Sequence, residues 1–108
     1  MKGDRLGEFE ELTLLAVCAI SGEAYGVPVQ KFVEKATGRN VTMGAVYAAL
    51  ARLEDKGYVR SVLGDAMQVR GGKRKRLFEA TPEGARTLKQ LRRVRERIWH
   101  LIESRGGL

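Results

Sequence analysis

The densest run of charged side chains is basic, because Lys73, Arg74, Lys75 and Arg76 follow one another without a break. They lie in a wider basic stretch: residues 70–97 hold eleven Lys and Arg against three Asp and Glu, a net charge of +8, whereas residues 1–69 carry −1. Ammonium and guanidinium groups crowded in this way bind phosphate oxygens by charge and by hydrogen bonds. The stretch therefore predicts a polyanionic partner, although positive charge also serves solubility.

The residue types that usually carry catalysis or hold a metal are scarce. The sequence has one cysteine, Cys18, and one histidine, His100, and these cannot complete the usual closed zinc site. It contains no glycine-rich phosphate loop and no nucleophile elbow. We therefore expect a protein that is not an enzyme and that uses neither a metal nor a cofactor.

Cysteine usage and hydropathy favour the cytoplasm. A single cysteine cannot form a disulfide within the chain, so nothing indicates an oxidising compartment. The longest apolar stretch, residues 14–20, is about a third of a membrane span. The N-terminal residues are acidic where a signal peptide is basic and then apolar. We expect a cytoplasmic protein with no membrane segment.

The 108 residues are enough for one domain, and apolar spacing predicts helices at residues 8–20, 25–37 and 42–56. Gly38 suits the C-terminal cap of the second helix, and Thr42 suits the N-cap of the third. The first helix is apolar nearly all round. We expect its own core to cover one side and a second subunit to cover the other.

The third helix has two unlike faces. We expect an inward stripe of Met43, Val46, Tyr47, Leu50 and Leu53. The opposite face carries Gly44, Ala45, Ala48, Ala49 and Arg52. Small side chains let a helix backbone approach another surface closely, and that surface is either a DNA groove or a neighbouring helix.

A hairpin and a long helix complete the chain. Strands at residues 58–63 and 73–80 predict a β-hairpin with a long basic tip. Thr81 and Pro82 then begin a fourth helix that reaches about Ser104. This helix is about 30 Å long, too long for a domain of this size to cover.

The fourth helix carries a heptad-like apolar seam of Leu91, Val94, Ile98 and Leu101. We expect the seam to pair with a second copy of the chain, and the alternative is packing back on the first helix of the same chain. The fold class is mainly α with a small β-hairpin: a winged helix-turn-helix at residues 1–81 and a dimerisation helix at residues 82–108. In that arrangement the third helix enters the major groove, and the hairpin lies along the DNA backbone or in the minor groove.

Three segments resemble PadR-type transcriptional regulators. They are Tyr25-Gly26-Val27, the spaced run of Gly44, Tyr47, Leu50, Leu53, Glu54 and Gly57, and the basic strand that ends in Thr81-Pro82-Glu83-Gly84. The resemblance covers about residues 9–100. It implies a homodimeric winged-helix repressor that binds double-stranded DNA operators. It also implies the short form of the family, which has a single C-terminal helix.

The candidate DNA-binding residues lie in the turn before the third helix, on that helix and on the hairpin. They are Arg39, Asn40, Thr42, Gly44, Ala45, Tyr47, Ala48, Arg52, Lys73, Arg74, Lys75 and Arg76. Tyr47 serves either the core or a phosphate contact, and Arg52 either contacts DNA or pairs with Glu54 or Asp55. Because strand side chains alternate, only some of the four hairpin cations can face DNA at once.

The candidate dimer residues lie on the first and fourth helices. They are Leu12, Leu15, Leu88, Leu91, Val94, Ile98, Trp99, Leu101 and Ile102. Trp99 either packs in the interface or forms an aromatic wall for a flat ligand, as in some similar PadR-like regulators. With Arg95 nearby, a small aromatic anion such as a phenolic acid suits this site best.

Two other classes of function stay open at this point. Small basic winged-helix domains also bind RNA or ribosomes, and the bare face of the third helix also suits a protein–protein adaptor.

Overall fold

The computed structural model describes residues 5–66 and 74–108. Within these ranges the chain forms four helices and one two-stranded antiparallel sheet, as the sequence predicts. In chain order the elements are α1 (Glu8–Ala19), α2 (Gly26–Thr37), α3 (Met43–Asp55), β1 (Val59–Ala66), β2 (Arg74–Ala80) and α4 (Pro82–Ser104). The first strand continues to Ala66, past the predicted end at residue 63.

The predicted caps are confirmed, and the helix boundaries lie within one residue of those expected. Gly38 ends α2 in the left-handed conformation, with φ at +71°. The Thr42 hydroxyl accepts a hydrogen bond from the backbone N–H of Ala45 at 3.1 Å and begins α3. The Thr81 hydroxyl accepts one from Gly84 N–H at 3.0 Å, and Pro82 occupies the first turn of α4.

The hydrophobic core lies where α1, α2 and α3 pack on one another and on the hairpin. Its largest fully buried side chains include Leu14, Leu50 and Leu53. The expected inward stripe of α3 is only partly right, because Tyr47 is exposed and Ala49 is fully buried. Ala49 completes the helical spacing of Val46, Leu50 and Leu53, which turns Tyr47 to the rim of the core.

The hairpin is attached to the helices through β2. In its register Val59 pairs with Ala80, Ser61 with Phe78 and Leu63 with Arg76. The backbone N–H of Phe78 donates to the carbonyl of Ala24 at 3.0 Å, which joins the outer edge of β2 to the loop before α2. The buried Phe78 ring anchors β2 in the core, so the hairpin leaves the body in a defined direction.

The fourth helix is 23 residues long and only its first turns join the core. Gly84 is its one buried residue, and Leu88 packs against the core from a half-buried position. The molecule measures 59 × 30 × 22 Å along its principal axes. None of the helices in the described ranges combines the length and apolar content needed to cross a membrane.

Candidate nucleic-acid interface

The predicted small-residue face of α3 lies on the surface. Gly44, Ala45 and Ala48 are all exposed, and the exposed side chains of Thr42, Tyr47 and Arg52 border them. Of the predicted face only Ala49 belongs to the core. This face therefore presents helix backbone to solvent over about two turns, with polar groups only at its margins.

The hairpin and α3 meet at the first residues of α2. The Lys75 Nζ atom lies over the ring of Tyr25, 5.9 Å from its centroid. The Tyr47 hydroxyl packs on Gly26, so closely that a Cβ atom there would lie 2.3 Å from it. Because Tyr25 and Gly26 are neighbours in the chain, Lys75 of the basic strand and Tyr47 of α3 both contact the start of α2.

The exposed cations of β2 point to opposite faces of the hairpin, as alternation requires. Lys75 faces Tyr25, whereas Arg76 Nη1 donates to the Ser61 hydroxyl at 2.7 Å. Ser61 in turn donates to the Glu54 carboxylate near the end of α3, at 2.8 Å. This chain of hydrogen bonds couples the hairpin to α3. Of the other predicted hairpin cations, Arg74 is the first residue of β2, and Lys73 lies outside the described residues.

The turn between α2 and α3 is held from α2. The Gln30 amide donates to the Val41 carbonyl at 2.8 Å, and the Glu34 carboxylate accepts from the Val41 N–H at 2.9 Å. Arg39 and Asn40 are exposed on this turn, directly before the N-terminus of α3. The two bonds to Val41 fix the relation of α2 to α3, on which a helix-turn-helix depends.

Arg52 has a partner that local spacing does not indicate. It pairs neither with Glu54 nor with Asp55 but with Glu10 of α1, whose carboxylate accepts from Arg52 Nε at 2.8 Å. The other oxygen of Glu10 accepts from Lys56 Nζ at 2.7 Å and from the Gly7 N–H at 3.2 Å. Burial alone would raise the pKa of the Glu10 carboxyl, but the bonds to Lys56, Gly7 and Arg52 together lower it.

Replacing Glu10 with glutamine is expected to destabilise the fold by about 1–3 kcal/mol near neutral pH, because Arg52 and Lys56 lose their counter-ion. The folded-state pKa of Glu10 lies below the ordinary value of 4.5, so this stability is present above that pH and is lost as the pH falls through the folded-state pKa. Urea denaturation of both proteins over a pH series measures the difference. A difference that stays constant down to about pH 3 contradicts this assignment.

The predicted dimer residues form an apolar surface along α4 and the outer side of α1. Leu15, Val94, Ile98, Trp99 and Leu101 are exposed, the last three by just over half. Leu12, Leu88, Leu91 and Ile102 are half-buried. The first turns of α4 pack against α1 of the same chain, which is the alternative that the sequence left open beside pairing with a second copy. The distal half of the α4 seam is nevertheless exposed in the single chain.

A cleft of about 380 Å³ separates α1 from α4 beside Trp99. Its walls include Leu15, Leu88 and Trp99, and a salt bridge between Glu11 and Arg95 crosses it. This bond raises the pKa of the Arg95 guanidinium. The structure thus brings the two predicted effector residues to one cleft, with Arg95 paired to Glu11.

Two residues that contact the candidate DNA-binding side chains, Glu10 and Tyr25, were not identified from the sequence. In the sequence, Glu10 is one of three acidic residues in the first turn of α1, where the helix dipole favours negative charge. Nothing in this local pattern indicates its contact with α3. In the sequence, Tyr25 belongs to one of the motifs that resemble the family, but its position under Lys75 depends on the return of β2.

Cys18 is exposed, and partial burial raises the pKa of its thiol. The described residues contain no cluster of ligands suited to a metal ion.

A helix-turn-helix followed by a basic hairpin defines the winged-helix class of DNA-binding regulators. The model of the PadR-like family of transcriptional regulators matches residues 14–90. The chain belongs to this family, whose members are transcriptional regulators and not enzymes.

Solved structures agree with this assignment. A transcriptional regulator from Clostridium thermocellum is 28% identical, with 86% of this chain and 89% of that one covered and a TM-score of 0.64. A PadR family transcription regulator from Clostridium difficile is 25% identical, with 90% and 98% covered and a TM-score of 0.65. A PadR family regulator from Eggerthella lenta shares the fold at 24% identity, with 93% and 83% covered and a TM-score of 0.61. No curated protein matches the sequence significantly.

Proposed function

We propose that this regulator is a homodimeric repressor that binds a twofold-symmetric operator in double-stranded DNA, with α3 in the major groove and the hairpin on the backbone. The observation that carries the proposal is the approach of Lys75 and Tyr47 to the neighbouring residues Tyr25 and Gly26. It supports one continuous surface made of α3 and the wing. The major groove of DNA is wide enough for one helix, and the exposed small residues of α3 let that helix enter it.

The residues on this surface take different roles. Gly44, Ala45 and Ala48 let α3 sit deep in the groove, where their backbone and short side chains face the base edges. The cations and hydroxyls at the margins contact phosphates, which supplies most of the affinity that does not depend on sequence. The candidates for these contacts are Arg39, Asn40 through its amide, Thr42, Tyr47, Arg52, Lys73, Arg74, Lys75 and Arg76, and because strand side chains alternate, only some of the last four face DNA at once.

A competition experiment tests this function against the two other classes. A labelled duplex selected by the protein from a random library is competed with unlabelled duplex or with structured RNA. We expect only DNA of the selected sequence to compete at equimolar amounts. Equal competition by RNA would favour the RNA-binding alternative, and failure to select any duplex would favour an adaptor.

The homodimer is supported by the uncovered seam of α4. Ile98 is 51% exposed and Leu101 is 53% exposed in the single chain, far from the core. Ile98→Glu is expected to shift the protein from dimer to monomer at micromolar concentration, because a charge at the centre of the seam has no partner there. Sedimentation equilibrium measures the mass. His100→Glu, which places the same charge on an exposed position of α4, serves as the control and stays dimeric, and a dimeric Ile98→Glu variant would contradict the assignment.

The cleft beside Trp99 is proposed to take a flat aromatic anion, such as a phenolic acid. Trp99 and Leu15 offer apolar walls, and a ligand carboxylate competes with Glu11 for Arg95. Binding there favours one spacing of the two α3 helices over another, which lowers the affinity for DNA. Trp99 is the only tryptophan, so its fluorescence is expected to change on titration with such acids, less so after Arg95→Ala. An unchanged spectrum across a broad panel of aromatic acids would exclude this site.

A further inference from the structure

The guanidinium of Arg52 is held from one side only. Its Nε atom donates to Glu10, and 56% of the side chain is exposed on the α3 surface. The Arg52 side chain makes no other hydrogen bond within residues 5–66 and 74–108. A guanidinium held through Nε keeps the edge with its two terminal amino groups for another acceptor, and that edge fits two phosphate oxygens or the acceptors of a guanine.

The carboxylate of Glu10 is itself held in place, so it is a fixed hydrogen-bond acceptor for Arg52. Lys56 Nζ and the Gly7 N–H hold its Oε1 atom, and only 10% of the side chain is exposed. Lys56 Nζ also donates to the Arg5 carbonyl at 2.5 Å, which joins the segment before α1 to the end of α3. Arg52 is therefore oriented by a support that lies outside the recognition helix.

We propose that Glu10 of α1 is a positioning residue for DNA binding, which holds the Arg52 guanidinium on the α3 surface with its terminal edge towards the DNA. The inference rests on the proposed function, since it requires Arg52 to contact DNA. An arginine that is already oriented loses less side-chain freedom on binding than one that is free in solvent.

The direction in which Glu10→Gln changes the affinity for DNA distinguishes a positioning role of Glu10 from a simple effect of net charge. Glu10→Gln makes each chain more positive by one unit, and on electrostatic grounds alone this strengthens binding to a polyanion. Positioning predicts the opposite. We expect Glu10→Gln to weaken binding to the selected duplex by about threefold to tenfold, and to lower the slope of log affinity against log salt by up to about one per chain.

The control for charge is Glu8→Gln, on the same turn of α1. Glu8 is exposed, and its carboxylate forms no ion pair within the described ranges. The substitution adds the same charge without disturbing Arg52, so the affinity is expected to stay equal or to rise. The control for lost stability is Val17→Ala, which truncates a buried side chain on α1 and leaves the Glu10 cluster intact. At a temperature where all variants are folded, Val17→Ala is expected to keep both the affinity and the salt slope.

Arg52→Ala and the double variant complete the experiment. We expect Arg52→Ala to weaken binding by about tenfold or more, and Glu10→Gln to add little in that background. Binding by Glu10→Gln that is as tight as the wild type overturns the positioning role, as does an equal loss with and without Arg52. If Arg52→Ala binds as well as the wild type, the DNA-contact role of Arg52 in the proposed function fails instead.

Discussion

Replacing Lys75 and Arg76 together with glutamate is expected to weaken binding of the selected duplex by about a hundredfold or more at moderate salt. Each chain loses two exposed cations beside α3 and gains two anions that repel the phosphates. The change acts in both half-sites of a dimer. Fluorescence polarisation at several salt concentrations measures the loss, and we expect a shallower salt dependence because fewer counterions are released.

The matched control reverses the same amount of charge on α4. Lys89→Glu with Arg93→Glu alters two exposed cations of that helix. Long-range repulsion is expected to cost at most about tenfold there, and the salt slope should stay near that of the wild type. Equal losses in the two double variants would mean that binding depends on net charge and not on the wing.

Gly84→Ala is expected to lower the stability by about 3 kcal/mol or more and the melting temperature by about 10 °C or more. The first turn of α4 crosses the backbone of Tyr58 so closely that an added Cβ atom would lie 2.2 Å from the Tyr58 carbonyl oxygen. The clash is with backbone, so the strand or the helix must move to relieve it. The same carbonyl accepts the N–H of Thr81 at 3.0 Å, and that bond would be strained as well.

Gly44→Ala is the control for this prediction. An added Cβ there meets only the Thr42 hydroxyl, at 4.0 Å, so alanine should raise stability by up to about 1 kcal/mol through its helix propensity. Thermal unfolding at one protein concentration compares the two variants, because a dimer melts in a concentration-dependent way. A Gly84→Ala protein that melts within about 2 °C of the wild type would contradict the close approach.

The order and type of the elements could be predicted because their signals are local. Gly38, Thr42 and Thr81 end or begin helices through bonds to residues three or four positions away. Periodicity was less reliable for α3, where apolar and small residues surround the helix. There the sequence could not distinguish Ala49, which is buried, from Tyr47, which is not.

The site itself could be predicted only where a single element carries it. The small face of α3 and the basic run of β2 are visible in the sequence, but their meeting at Tyr25 and Gly26 is a product of the tertiary fold. The partner of Arg52 lies 42 residues away in the chain, so helical spacing suggested Glu54 or Asp55 instead. Likewise, the close approach of Gly84 to Tyr58 leaves no trace in the local pattern.

The central claim is that two copies of one surface, made of α3 and the wing, bind successive turns of duplex DNA. Selection of duplexes from a random library by the full chain, followed by sequencing, tests it most directly. The account predicts enrichment of an inverted repeat whose half-sites are about one helical turn apart, roughly 10 base pairs from centre to centre. Enrichment of a single asymmetric site, or of no duplex sequence at all, would contradict it.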